Sequence, residues 1–487
     1  MPNVEMHTRR KRLLFAFAGC FSLLLLSGIG FTFSRSVPLI AAVFGEKENT
    51  TLLPSKTGDS KEAIPVSAEI LLGQAERERS RGNARAAILL YEKALERGGE
   101  LPVMQRLFDT ALLVSDTEKA ESVMGLLSFR GVPDLTLEAL RGQVLLRKGK
   151  LDEARTLFAA EPNRSEYRYG LTLTSILEGN HGEAKEHLAV LGTSNDPAMA
   201  HAARVIMGAY DEFALFEDGS ESHLQTLLAR SLGQIGEWPA AATLLTNVVS
   251  GDPDYRDAQI LLGYSLFMMD APENAFLALE QAYRIDPEKA ETQYFLGLTH
   301  RRLGHSDEAL TFLSHALQNG FVPKRPLREE LAELSVERGA YEEAIGQYRA
   351  IVDEGEADVI IYRKLITLLI DHHQDLEGAR VLAGEAREAL GDSSADVLDL
   401  VGWTALLKED LNEAATFLQT ATEQDPTLGS AWLHRALLHE KLGERTEALS
   451  AYKRAYEESV ARNQEIALVA AEKYNALLMQ QENTVSP

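Results

Sequence analysis

An alanine returns at a fixed distance through the second half of this chain: Ala275, Ala309, Ala344, Ala379, Ala414 and Ala448, separated by 34, 35, 35, 35 and 34 residues. A period of that size is too long for one helix or strand and too short for a domain. It matches one supersecondary unit, so the chain has to be a stack of such units, each burying its apolar face against the next. Every alanine keeps similar company. Four residues on, five of the six have a larger apolar residue (Leu279, Leu313, Tyr348, Leu418, Tyr452); seven on there is usually another small one (Ala282, Ala316, Ala421, Ala455), and a glycine often precedes. Offsets of four and seven fall on one face of a helix.

The stretch Leu262-Gly263, Leu266, Ala275, Leu279, Ala282, Asp286-Pro287 resembles the tetratricopeptide-repeat (TPR) consensus position by position. Leu296-Gly297, Gly304, Ala309, Leu313 and Ala316 repeat it, then Gly402, Ala414, Leu418, Ala421 and Asp425-Pro426, then Trp432, Gly443, Ala448, Tyr452 and Ala455. The resemblance implies an all-α fold, a TPR helix-hairpin solenoid wound as a right-handed superhelix. Glycine and alanine belong where the first helix of a hairpin crosses the second, because only they let two backbones approach closely. The Asp-Pro pairs stop one hairpin and start the next.

Upstream the pattern loosens. Ala87-Tyr91-Ala94, Ala120-Met124, Ala154-Phe158 and Ala184-Leu188 are candidate copies, and Ala241-Leu245 with Asp252-Pro253 enters the regular series, which makes eleven hairpins. The 57 residues from Ala184 to Ala241 exceed one period by about a helix. The reading is therefore a degenerate array at 67–197, an irregular helical break at 198–221, a regular array at 222–463, a capping helix at 464–480 and a disordered tail at 481–487.

Residues 13–33 carry no charge, and as a helix would extend roughly 31 Å, about one bilayer core. Arg9, Arg10, Lys11 and Arg12 precede them, which by the positive-inside rule leaves a basic, cytoplasmic N-terminus at 1–12. The expectation is an N-terminal transmembrane helix or signal anchor at 13–33, a flexible linker at 34–66 and a TPR domain on the extracytoplasmic side, periplasmic in a bacterium. Cleavage after Ser36 would instead export a soluble array.

A net charge of −24 and a pI near 5.0 argue against nucleic acid, whose phosphates must be neutralised by clustered Lys and Arg. The one cysteine, Cys20, leaves the remainder without a disulfide or a thiolate metal site. No phosphate loop, zinc-protease motif or nucleophile elbow occurs, and Asp371-His372-His373-Gln374-Asp375, the one local cluster of potential ligands, falls in a turn. The chain is thus expected to be no enzyme, with no cofactor, metal or small-molecule substrate.

The resemblance further implies that partners bind on the concave face, lined by first-helix residues. In this register those are Tyr264, Phe267 and Met268; Tyr294, Leu298 and Arg301; Trp403 and Leu406; Leu433 and Leu437. Aromatic and Arg side chains concentrate binding energy when desolvated. The clamp that grips chaperone tails in some TPR proteins is not matched, since Tyr264, Leu298 and Trp403 stand where its polar residues would. The function expected is a membrane-tethered adaptor for protein or peptide partners; the alternatives are a self-assembling structural protein and an accessory subunit of an envelope glycan-synthesis or export complex.

Overall fold

The computed structural model describes residues 68–216, 219–460 and 463–485, which form 24 α-helices and one π turn. Two compact units divide between Pro323 and Lys324. The first opens with four hairpins: α1 (Ala68–Ser80) with α2 (Ala84–Glu96), α3 (Leu101–Leu113) with α4 (Thr117–Phe129), α5 (Asp134–Arg147) with α6 (Leu151–Phe158), and α7 (Ser165–Leu177) with α8 (His181–Leu191). A single helix, α9 (Pro197–Phe213), intervenes. Three hairpins follow: α10 (Glu221–Gln234) with α11 (Trp238–Gly251), α12 (Arg256–Met268) with α13 (Pro272–Ile285), and α14 (Ala290–Arg302) with α15 (Ser306–Gln318).

The second unit pairs α16 (Lys324–Glu337) with α17 (Tyr341–Asp353), α18 (Val359–Leu368) with α19 (Leu376–Leu390), α20 (Ala395–Leu407) with α21 (Leu411–Gln424), and α22 (Gly429–Leu442) with α23 (Arg445–Ser459). It ends on α24 (Gln464–Val485), packed on α23 and α22.

Each of the eleven hairpins carries one marker alanine on its second helix, at most 1% exposed. The reason is contact distance. A Cβ placed on Gly297 would lie 2.6 Å from Leu313 Cγ, and one on Gly402 equally close to Leu418 Cγ. In the degenerate part Phe158 fills the corresponding space alone, and its ring occupies the room that a side chain on Gly142 or Gly170 would need. A single aromatic thus seals its own hairpin and the next one.

Five residues before every marker alanine the chain enters the left-handed region, which ends the first helix. Seven of these positions are glycine; the other four are Ser115, Asp270, Gln374 and Glu409, with φ between 53° and 64°. At Gly304 the cap closes through His305 N–H to His300 C=O, 2.9 Å, the long bond of a Schellman motif. Second helices stop by another device. Asp252, Asp286 and Asp425 are extended, φ −137°, −147° and −129°, because the following proline ring excludes helical geometry.

The expected membrane attachment is corrected here. A bilayer span needs about 20 consecutive apolar residues, and no helix among the described residues is long and apolar enough to cross a membrane. Repeat helices are amphipathic, since one side must stay polar, and even the 22-residue α24 contains Glu465, Glu472 and Lys473. The segment 13–33 lies outside the described residues, as do residues 1–12 and the linker 34–66. No helix among the described residues supports the transmembrane helix, the signal anchor, the membrane as a partner or the extracytoplasmic or exported location.

Candidate protein-binding surface

First helices of successive hairpins touch at α3–α5, α5–α7, α10–α12 and α12–α14 in the first unit and at α18–α20 and α20–α22 in the second, so their outward positions adjoin there. In the first unit the six singled-out residues separate into two sets. Tyr264 and Tyr294 are buried: Tyr264 meets Trp238 edge-on at 5.0 Å and stacks on Phe295 at 4.6 Å, while Tyr294 stacks on Phe321 at 4.1 Å. They join neighbouring hairpins, and burial raises the Tyr264 phenol pKa. Phe267, Met268, Leu298 and Arg301 are half-buried and keep surface to offer. The Arg302 guanidinium lies 4.6 Å over the Phe267 ring.

In the second unit Leu406 and Leu433 are buried, and Trp403 and Leu437 are half-buried. Trp403 stacks on His434 with centroids 5.2 Å apart and planes within 5°. Beneath that stack lies a polar network built from one side of three consecutive first helices. Asp399 is wholly buried and accepts from His434 Nδ1 at 2.6 Å, Ser430 Oγ at 2.8 Å and Arg363 Nη1 at 3.2 Å. Burial pushes the Asp399 carboxyl up, but His434, Arg363 and Ser430 outweigh it and bring it down to about 2. The carboxylate fixes the imidazole, and the imidazole supports the indole. Ser430 bonds the carboxylate and not the imidazole, so the trio lacks the order that a serine nucleophile and its base require.

Sequence reasoning passed over Arg363, Asp399 and His434. Their one signal is an acid inside the apolar run Val397-Leu398-Asp399-Leu400-Val401, which a single helix cannot explain and a partner in the next hairpin can.

The first unit holds a second polar cluster, across its array. Arg106 Nε stands 3.3 Å from Glu76 Oε1, Arg147 Nη2 donates to Glu237 Oε2 at 2.6 Å, and Tyr169 Oη donates to Glu237 Oε1 at 3.2 Å. Glu237 lies in the α10–α11 turn, 90 residues beyond Arg147. Asp109, on α3, has Oδ2 sealed from solvent without a hydrogen-bond partner. Burial raises its carboxyl to about 7; Arg79 and Arg106 oppose the rise, and Glu237 and Glu76 add to it.

The cluster at 371–375 is exposed and lies in and just after the π turn Leu369–His373. His372 stacks on Tyr341 at 3.5 Å, and His373 Nδ1 is 3.6 Å from Glu342 Oε1. Among the described residues no group of three or more His, Cys, Asp or Glu is placed to hold a metal ion.

The sequence matches the family model described as Tetratricopeptide repeat over residues 226–290 and 400–463. A comparison with curated proteins finds no match. Among solved structures, the crystal structure of yeast Tom70 is similar at 15% identity, covering 86% of this chain and 97% of that one, with a TM-score of 0.32. YrrB, described as a TPR protein with an unusual peptide-binding site, is 17% identical over 47% of this chain and 99% of its own, TM-score 0.28. Pseudomonas aeruginosa PilF is 19% identical over 46% and 97%, TM-score 0.36.

Proposed function

We propose that this chain is a non-enzymatic scaffold that captures a protein or peptide segment on the first helices of its hairpins. The observation that carries the reading is the state of Trp403. An indole left half-exposed on a rigid helix, stacked on an imidazole that a buried carboxylate holds in place, offers apolar area at small entropic cost. Leu437 on the next first helix would extend that patch, and the half-buried Phe267, Met268, Leu298 and Arg301 would serve as its counterpart in the first unit. In this reading Tyr264, Tyr294, Leu406 and Leu433 shape the surface from beneath. A partner segment with two or three apolar side chains at extended or helical spacing suits such patches.

The test is chemical crosslinking of the full chain in its native extract, followed by identification of the captured proteins. Trp403→Ala with Leu437→Ala should remove a defined subset of partners while the circular-dichroism melt falls by only a few degrees, as about 1 kcal/mol would produce. An unchanged set of captured proteins would overturn the assignment.

A further inference from the structure

Two segments of the first unit that are far apart in sequence meet through hydrogen bonds from the side chains of one to the main chain of the other. Arg302 Nη1 donates to Gly82 C=O at 2.9 Å, and Nη2 donates to Arg81 C=O at 3.0 Å. Asp270 Oδ2 accepts from Arg85 N–H at 2.9 Å, and Asp270 Oδ1 pairs with Arg302 Nη1 at 3.0 Å. The residues of the first hairpin are thus read by peptide groups alone: two carbonyls by a guanidinium, one amide by a carboxylate.

Local chemistry on both sides prepares this contact. Arg85 occupies the first turn of α2, where amides have no partner within the helix. Asn83, at the cap position, makes no capping bond; its Nδ2 donates to Glu78 Oε2 at 2.7 Å instead. The acceptor that caps α2 therefore comes from a residue 185 positions away. Gly82 is left-handed at φ +80°, a conformation that favours glycine, and a Cβ there would stand 2.9 Å from Arg302 Nη2 and push the guanidinium aside. Opposite it, Asp270 holds the left-handed turn position that glycine fills in seven of the eleven hairpins, at φ +56°. That strain is accepted at a residue whose carboxylate has a distant target.

We propose that the Asp270–Arg302 pair is an intramolecular clamp, and that the α1–α2 turn is its resident occupant, latching the first hairpin onto α12–α14 and gating the Phe267 patch. Arg302 covers Phe267 only while its guanidinium is held in place by Asp270 and the two carbonyls. Opening frees a main-chain-reading carboxylate and guanidinium beside an aromatic ring, a set that an incoming peptide backbone can take over. The gating rests on the binding role proposed above; the latch itself does not.

Hydrogen exchange on the full-length chain separates the two. In the parent protein the amides of residues 81–87 should be protected, and Arg302→Ala should speed their exchange by roughly tenfold or more, while amides of α15 around Leu313 keep their protection. Asp270→Asn probes the same contact from the carboxylate. Gly82→Ala probes it from the turn and guards against misfolding at the buried Asp270. Unchanged protection at 81–87 in all three variants would overturn the latch. Crosslinks joining residues 81–85 of one copy to residue 302 of another would overturn its intramolecular nature. If the latch opens in Arg302→Ala with no change in captured partners, the gating falls and the latch stands.

Discussion

Asp109 is a carboxyl whose surroundings oppose its ionisation. Its carboxyl is raised to about 7 by burial, with Glu237 and Glu76 adding to the effect against Arg79 and Arg106. The sign follows from linkage. Below the ordinary carboxylate range both folded and unfolded chains hold the proton. Between there and about pH 7 the folded chain keeps a proton that the unfolded chain has released, so stability declines as pH rises, by at most about 1.4 kcal/mol per pH unit. Asp109→Asn should therefore gain in melting temperature over the parent, and gain more at pH 8 than at pH 5. Equal gains at the two pH values would mean that the carboxyl ionises normally. Asp399 has the opposite sign: held down to about 2, it contributes stability above the usual carboxylate range and loses it only in strong acid.

Non-glycine residues at the left-handed turn positions carry backbone strain that glycine would relieve. Glu409 sits at φ +64° and pairs with the exposed Lys441, at 3.1 Å, an interaction worth little in water. Glu409→Gly should relieve strain and stabilise the second unit by about 0.5–1 kcal/mol in denaturant titration. Asp270→Gly, at the equivalent position, should yield no such gain, because it also removes the cap of α2. The same pattern of glycine or non-glycine is visible in the sequence. What Asp270 reaches is not, because its targets are peptide groups, which every residue has.

Among the elements, the second helices were the most legible. Alanine spacing located all eleven because crossing distance allows nothing larger: Ala309 is wholly buried, and Ala309→Leu should cost about 1–3 kcal/mol through overpacking, read as an earlier thermal transition. An unchanged melt would count against the crossing described here. The first helices were legible in register but not in exposure. Tyr264 and Phe267 look alike as aromatic residues on one helix, yet Tyr264 is enclosed by Trp238 and Phe295 and Phe267 is half-buried. Separating them requires the neighbouring hairpins. The hairpin of Ala154 reads poorly because Phe158 does with one ring what smaller residues do elsewhere. The long interval between Ala184 and Ala241 is filled by α9, a single helix of 17 residues whose cap, Asp196, accepts from Ala198 and Met199 amides.

At the scale of the molecule, two units of stacked hairpins, each with its own packing, should not melt as one. Repeat arrays are stabilised by each hairpin and its nearest neighbours. Gly402→Val would force a side chain against Leu418; it should advance a part of the calorimetric transition and leave the remainder in place, and a single uniformly shifted peak would refute independent units. The amino-acid sequence by itself determined the repeat length, the crossing alanines, the turn positions and the number of hairpins, because these follow from contacts within one hairpin or with its immediate neighbour. It also raised a membrane segment that no described helix supports. Only the tertiary structure decided which aromatic residues stay open, how Asp399 is neutralised by three partners, and that Arg302 reaches a turn 220 residues before it. The first two depend on which side chains adjacent hairpins bring together, and the last on the path of many stacked units, where small rotations per hairpin accumulate and no local pattern records the sum.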